Sequence, residues 1–143
     1  METLTSQLVL IAHDIYNSLG PGYNEVIYHR AFEVALRISG IQYESEVITP
    51  VFYKGACVGH GRVDLKLNNL IIELKAINIL NNDALIQIKN YMNQHNTFNG
   101  IVINFGQSTK GSGKNLGIIL VKDQVIYDYT NETFIPRNNE INC

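Results

Sequence analysis

Cysteine, positive charge and long apolar runs are all scarce in this chain, and each shortage removes a class of function. Cys57 and Cys143 are the only two cysteines. They are too few and too poorly placed for a disulfide framework or a zinc site, so a reducing, intracellular compartment is expected and no redox chemistry. No apolar run approaches the roughly 18 residues of a membrane span. The N-terminus carries Glu2, His13 and Asp14 around a modest apolar stretch, without a basic segment or a small-residue cleavage site. It reads as a helix rather than a signal peptide, which predicts a soluble protein with no membrane partner. Lys and Arg number 11 against 13 Asp and Glu, for a formal net charge of −2. Avid, sequence-blind nucleic-acid binding normally comes with a basic face, so this balance argues against it.

What is present is enough for one folded unit. A chain of 143 residues, 45% of them apolar, can bury a proper core, which predicts a single domain over residues 1–136 and a polar tail over 137–143. Leu8, Ile11, Ala12, Ile15 and Leu19 recur at helical spacing. Gly20-Pro21-Gly22 then breaks the chain before a second helix from about Asn24 to Ser39, closed by Gly40. Strands are predicted near Gln42–Tyr53, Ala56–His60, Val63–Leu67 and Leu70–Lys75. Asp83–Gln94 follows as a helix with Leu85, Ile88 and Met92 on its apolar stripe, and Ile101–Phe105 as a buried strand. The crossover between the last two strands makes a right-handed βαβ unit the natural topology, and Ile118–Val121 with Val125–Tyr129 adds a hairpin.

The chemistry concentrates in the pair of runs around Asn68-Asn69. These asparagines tolerate the positive φ of a two-residue hairpin turn, which fixes the register: Leu67 opposite Leu70, Leu65 opposite Ile72, Val63 opposite Leu74, Asp64 opposite Glu73 and Arg62 opposite Lys75. One face is then aliphatic and the other charged. Two carboxylates across a strand pair sit roughly 4.5–5.5 Å apart at Cβ and repel, which destabilises the fold unless a cation lies between them. Lys75 shares their face, where it could orient or deprotonate a water or offset charge on a phosphate. A second reading of the same residues is a surface salt-bridge quartet of little energetic value.

The motif of an Asp on one strand followed by Glu-x-Lys on the next resembles the core motif of the PD-(D/E)XK nuclease superfamily. Gly22-Tyr23-Asn24-Glu25-Val26-Ile27-Tyr28 looks like the signature of its small GxxExxY proteins. His60-Gly61-Arg62-Val63-Asp64-Leu65 and Ile101-Val102-Ile103-Asn104-Phe105-Gly106 resemble that group's Asp strand and closing strand. Gln87-Ile88-Lys89-Asn90-Tyr91 fits the Gln-x-x-x-Tyr motif of RecB-like members. The likeness covers about residues 5–106.

This resemblance implies an α/β (α+β) restriction-endonuclease-like core: a mixed central sheet flanked by helices, here with an extra C-terminal hairpin. It also implies a metal-dependent enzyme hydrolysing nucleic-acid phosphodiester bonds, with DNA as the leading substrate. Asp64, Glu73 and the backbone carbonyl of Leu74 would hold Mg²⁺ or Mn²⁺, which favour oxygen ligands, and Lys75 would orient or activate water. Glu25 would be the acidic residue contributed by the preceding helix, although a carboxylate in a first helical turn is equally explained by the helix dipole. Gln87 and Tyr91 would orient a phosphate or the active-site Lys and Glu; as an i, i+4 pair they also read as partly buried polar residues. Tyr28 is a substrate-contact candidate or a packing aromatic.

His60 and Arg62, beside Asp64, are further substrate-contact candidates, as are Lys110 and Lys114. Those lysines lie in the loop 106–115, which lacks the Gly-x-x-x-x-Gly-Lys-Ser/Thr spacing of a nucleotide-binding loop. The four histidines show no metal-ligand spacing and suggest ordinary structural roles. Two other readings stay open: a non-catalytic nucleic-acid-binding or assembly module on the same fold, and a structural homo-oligomer. A homodimer able to reach both strands of a duplex is an expectation from analogy.

Overall fold

The computed structural model describes residues 3–107 and 116–137. The loop 108–115, with Lys110 and Lys114, and the segment 138–143 lie outside the described residues. Helices α1 (Leu4–Leu19) and α2 (Glu25–Ile38) precede strands β1 (Glu44–Tyr53), β2 (Ala56–Leu67) and β3 (Leu70–Lys75). Helix α3 (Asn82–Gln94) then leads to β4 (Asn99–Asn104), β5 (Gly117–Lys122), β6 (Val125–Thr130) and β7 (Thr133–Pro136). The strands form one seven-stranded sheet in chain order. Only β3 and β4 are parallel, since α3 carries the chain back between them, and the other neighbours are antiparallel.

Helix starts follow capping chemistry. Thr3 accepts the N–H of Ser6 at the head of α1, and Asn81 accepts the N–H of Asp83 at the head of α3, each satisfying a donor the helix cannot. The sheet is covered on both faces. Leu8, Ile11, Ala12 and Ile15 of α1 and Tyr28, Phe32 and Leu36 of α2 pack against Leu65, Leu67, Ile72, Leu74, Ile101 and Ile103. On the opposite face Leu85, Ile88, Tyr91 and Met92 of α3 pack against Val63, Ile71, Val102 and Val121. Tyr91, which the sequence also allows as a partly buried polar residue, is buried in that cluster.

Two expectations are corrected here. The strand segments Ala56–His60 and Val63–Leu67 are one continuous strand, and β7 adds an edge that the pattern did not reveal. The second correction concerns facing: Val63 does not share a face with Leu65. Leu65 belongs to the α1/α2 cluster and Val63 to the α3 cluster, although strict alternation would keep them together. The cause lies across the ladder. Glu46 of β1 takes φ 55°, and the β1–β2 pairing runs from Ser45↔Leu65 to Val47↔Val63 without a Glu46↔Asp64 pair. Both strands change faces at that point, and Asp64 sits on the switch.

Candidate active site

The predicted register holds at the turn end of the hairpin, where Leu67↔Leu70, Lys66↔Ile71 and Leu65↔Ile72 pair, and Asn68 supplies the positive φ of 48°. Beyond Leu65 the backbone ladder ends, so Asp64 and Glu73 are not the ladder pair expected. Their carboxylates replace the missing backbone bonds. The Asp64 N–H donates to Glu73 Oε2 at 3.0 Å, and the Leu74 N–H donates to Asp64 Oδ2 at 2.8 Å. The face switch at Asp64 opens the strands, and each carboxylate satisfies an N–H that would otherwise be buried without a partner.

Glu73 is thereby taken out of water, with the half-buried Asp64 beside it. Glu73 is 3% exposed, and its pKa is pushed up to about 8 by burial first and by the Asp64 charge second, against the opposing pull of the Asp64 N–H and Lys75. Burial raises Asp64 as well, countered by the Leu74 N–H and by the charges of His29, Lys75 and Arg62. A desolvated like-charge pair favours a proton or a cation between its members.

No salt-bridge quartet forms. Arg62 Nη1 pairs with Glu46 Oε1 at 2.8 Å, and Lys75 Nζ donates to Gln87 Oε1 at 3.1 Å. Among the ion pairs of the described residues, none joins Lys or Arg to Asp64 or Glu73. Lys75 is held from the α3 side by Gln87, one turn before Tyr91. Tyr91 OH accepts the Arg62 N–H at 3.2 Å, directly over Gly61. His60, Gly61, Gln87 and Tyr91 line a groove of about 550 Å³ between α3 and the projecting β1–β2 hairpin. Gln87 and Tyr91 therefore hold Lys75 and strand β2, while His60 and Arg62 are exposed.

Glu25 opens α2 on the exposed side, bordering a cleft of about 440 Å³ with Ala76, Ile77 and Gln107. Its charge raises the Glu73 pKa, as the last of the influences on that group. Among the described residues no group of three His, Cys, Asp or Glu side chains is arranged to hold a metal ion. Asp64 and Glu73 nonetheless suit one: a half-buried and a buried carboxylate, both hard oxygen donors, whose mutual repulsion a divalent cation relieves.

Tyr28 is a correction. It is fully buried, stacks on Phe105 with centroids 4.2 Å apart and donates its hydroxyl proton to the Gly20 carbonyl at 2.6 Å. It ties the Gly20-Pro21-Gly22 loop to the core and cannot touch substrate.

Two sets of residues were not anticipated. Asn104, buried at the end of β4, takes the Ile77 N–H on Oδ1 and gives Nδ2–H to the Ile77 carbonyl, both at 3.0 Å, which pins the chain just after Lys75. His29 Nδ1 lies 4.0 Å from Asp64 Oδ1, and its Nε2 is 3.2 Å from Glu33 Oε2. A sequence signal existed for the second set: Glu25, His29 and Glu33 are spaced four apart on one helix, which aligns them on one face.

A mixed sheet covered on both faces, with a carboxylate inside one strand and a carboxylate and a lysine near the end of the next, is the layout of an α/β nuclease core. The family model described as the PD-(D/E)XK nuclease superfamily matches residues 2–116, and the chain belongs to that superfamily. Comparison with curated proteins and with solved structures returned no match.

Proposed function

We propose that this protein is a metal-dependent nuclease of the GxxExxY group, a single domain over residues 1–136 that hydrolyses phosphodiester bonds, with DNA as the leading substrate. The observation that carries this reading is the buried Glu73 carboxylate interlocked with the half-buried Asp64, beside a lysine whose only hydrogen-bond partner among the described residues is Gln87. Asp64 and Glu73, with the Leu74 carbonyl, would hold Mg²⁺ or Mn²⁺, and Glu25, on the cleft with Ala76 and Ile77, acts on Glu73 through its charge. When bound, such an ion polarises the scissile phosphate and acidifies a bound water. Lys75, restrained by Gln87, presents its ammonium where an attacking water and developing negative charge are stabilised. His60 and Arg62 stand exposed on the same strand to meet the nucleic-acid backbone, and Lys110 and Lys114 remain candidates for the same role.

The test is cleavage of supercoiled, linear and single-stranded DNA and of RNA with Mg²⁺ or Mn²⁺, comparing wild type with Asp64→Asn and Lys75→Ala. Cleavage that requires metal and falls at least about a hundredfold in both variants supports the reading. A folded wild type that cleaves none of the panel and gains no stability from either metal overturns it in favour of a non-catalytic binding module.

A further inference from the structure

We propose that His29 is a positioning residue for Asp64: its imidazole, locked by Glu33 and Ser45, faces the Asp64 carboxylate and fixes the orientation in which Oδ1 is presented to the site. This rests on the nuclease reading and adds a residue to it. The two oxygens of Asp64 have different surroundings. Oδ2 takes the Leu74 N–H, while Oδ1 faces His29 Nδ1 at 4.0 Å, a span across which charge acts or a water bridges.

The ring itself is fixed from the other side. Ser45 Oγ donates to Glu33 Oε2 at 3.1 Å and lies 2.8 Å from His29 Nε2. With its proton committed to Glu33, the Ser45 oxygen is left as acceptor, which makes Nε2–H the donor. Glu33 is anchored in turn: Tyr43 OH donates to its Oε1 at 3.0 Å, and Arg37 Nη1 donates to Tyr43 OH at 2.6 Å. The imidazole is largely buried, its side chain 13% exposed. A line of polar contacts thus runs from surface Arg37 through Tyr43, Glu33 and Ser45 to His29, whose Nδ1 stops 4.0 Å short of Asp64 Oδ1, beside the place where β1 and β2 change faces. Asp64 has lost its ladder partners there, so side-chain contacts take over the aiming that the sheet supplies elsewhere.

The experiment follows Mn²⁺-induced thermal stabilisation, which needs no turnover, alongside kcat and KM for cleavage, in wild type, His29→Ala and Glu33→Gln. Outer contacts of this kind change metal affinity or activity by about ten- to a hundredfold. The expected result for His29→Ala is a rise of that size in the Mn²⁺ concentration giving half the stabilisation, with kcat lowered and KM for nucleic acid unchanged. Glu33→Gln keeps the imidazole but loosens it, and is expected to shift the same readings less; it carries the test should His29→Ala fail to fold. A folded variant with the wild-type Mn²⁺ response and kcat overturns the positioning role and leaves the nuclease reading intact. A wild type with neither Mn²⁺ stabilisation nor cleavage overturns both.

Discussion

Glu73 holds its proton more tightly in the folded protein than in the unfolded chain, with a pKa of about 8 against an ordinary 4.5. A group raised in this way favours folding at low pH and loses that contribution as pH climbs between the two values. Asp64 is shifted in the same direction. The metal-free protein is therefore expected to lose stability from about pH 4.5 to about pH 8, and Glu73→Gln, which stays neutral, to flatten that slope. Thermal melts in chelator across this range check it; an equal slope in the variant would mean that Glu73 is not the group responsible. Gln87 calls for a graded expectation. Its amide only restrains Lys75, so Gln87→Ala should lower kcat by up to about a hundredfold through misplacement, and by less than Lys75→Ala under the same assay.

Strand β2 is where element-level packing controls the site. A Cβ added at Gly61 would lie 2.7 Å from Tyr91 OH and 3.0 Å from its ring, so α3 and β2 approach closely only because residue 61 has no side chain. Gly61→Ala is expected to destabilise the fold by about 1–3 kcal/mol through overpacking. Tyr91→Phe in that background should recover part of the loss by removing the nearest atom. Urea denaturation of the two variants measures both effects, and a Gly61→Ala protein as stable as wild type would show that Tyr91 moves aside freely. The hairpin register was legible because Asn68-Asn69 admits one tight turn and the aliphatic residues then fall opposite one another. The face of Val63 was not, since alternation assumes regular backbone and Glu46, nearly twenty residues earlier, supplies the irregularity. Strand β7 escaped notice because four residues ending in Pro136 carry too little alternation to stand out.

Across the whole molecule, the single parallel pair β3–β4 decides how the site is assembled. The crossover places α3 on the face opposite α1 and α2, so Lys75 is gripped from one side by Gln87 and Asp64 is approached from the other by His29. A cation bound between the carboxylates would therefore stabilise the fold that joins both layers. At a hundred times its Kd, Mg²⁺ or Mn²⁺ should add about 2.7 kcal/mol, seen as a melting temperature several degrees higher, and Asp64→Asn should abolish the rise while stabilising the metal-free protein. An undiminished rise in Asp64→Asn would place the ion elsewhere.

The sequence by itself determined the three helices, most of the strands and the turn register of the hairpin, and it marked Asp64, Glu73 and Lys75 as the candidate reactive set, because these depend on local periodicity and on residues a few positions apart. Tertiary structure alone decided that Tyr28 is a core residue, that the carboxylates take each other's backbone N–H groups rather than pairing across a regular ladder, and that His29, Glu33 and Ser45 stand behind Asp64. Those outcomes depend on how α2 lies over β1 and β2 and on where the ladder yields. They are properties of packed elements, which no short stretch of the chain contains.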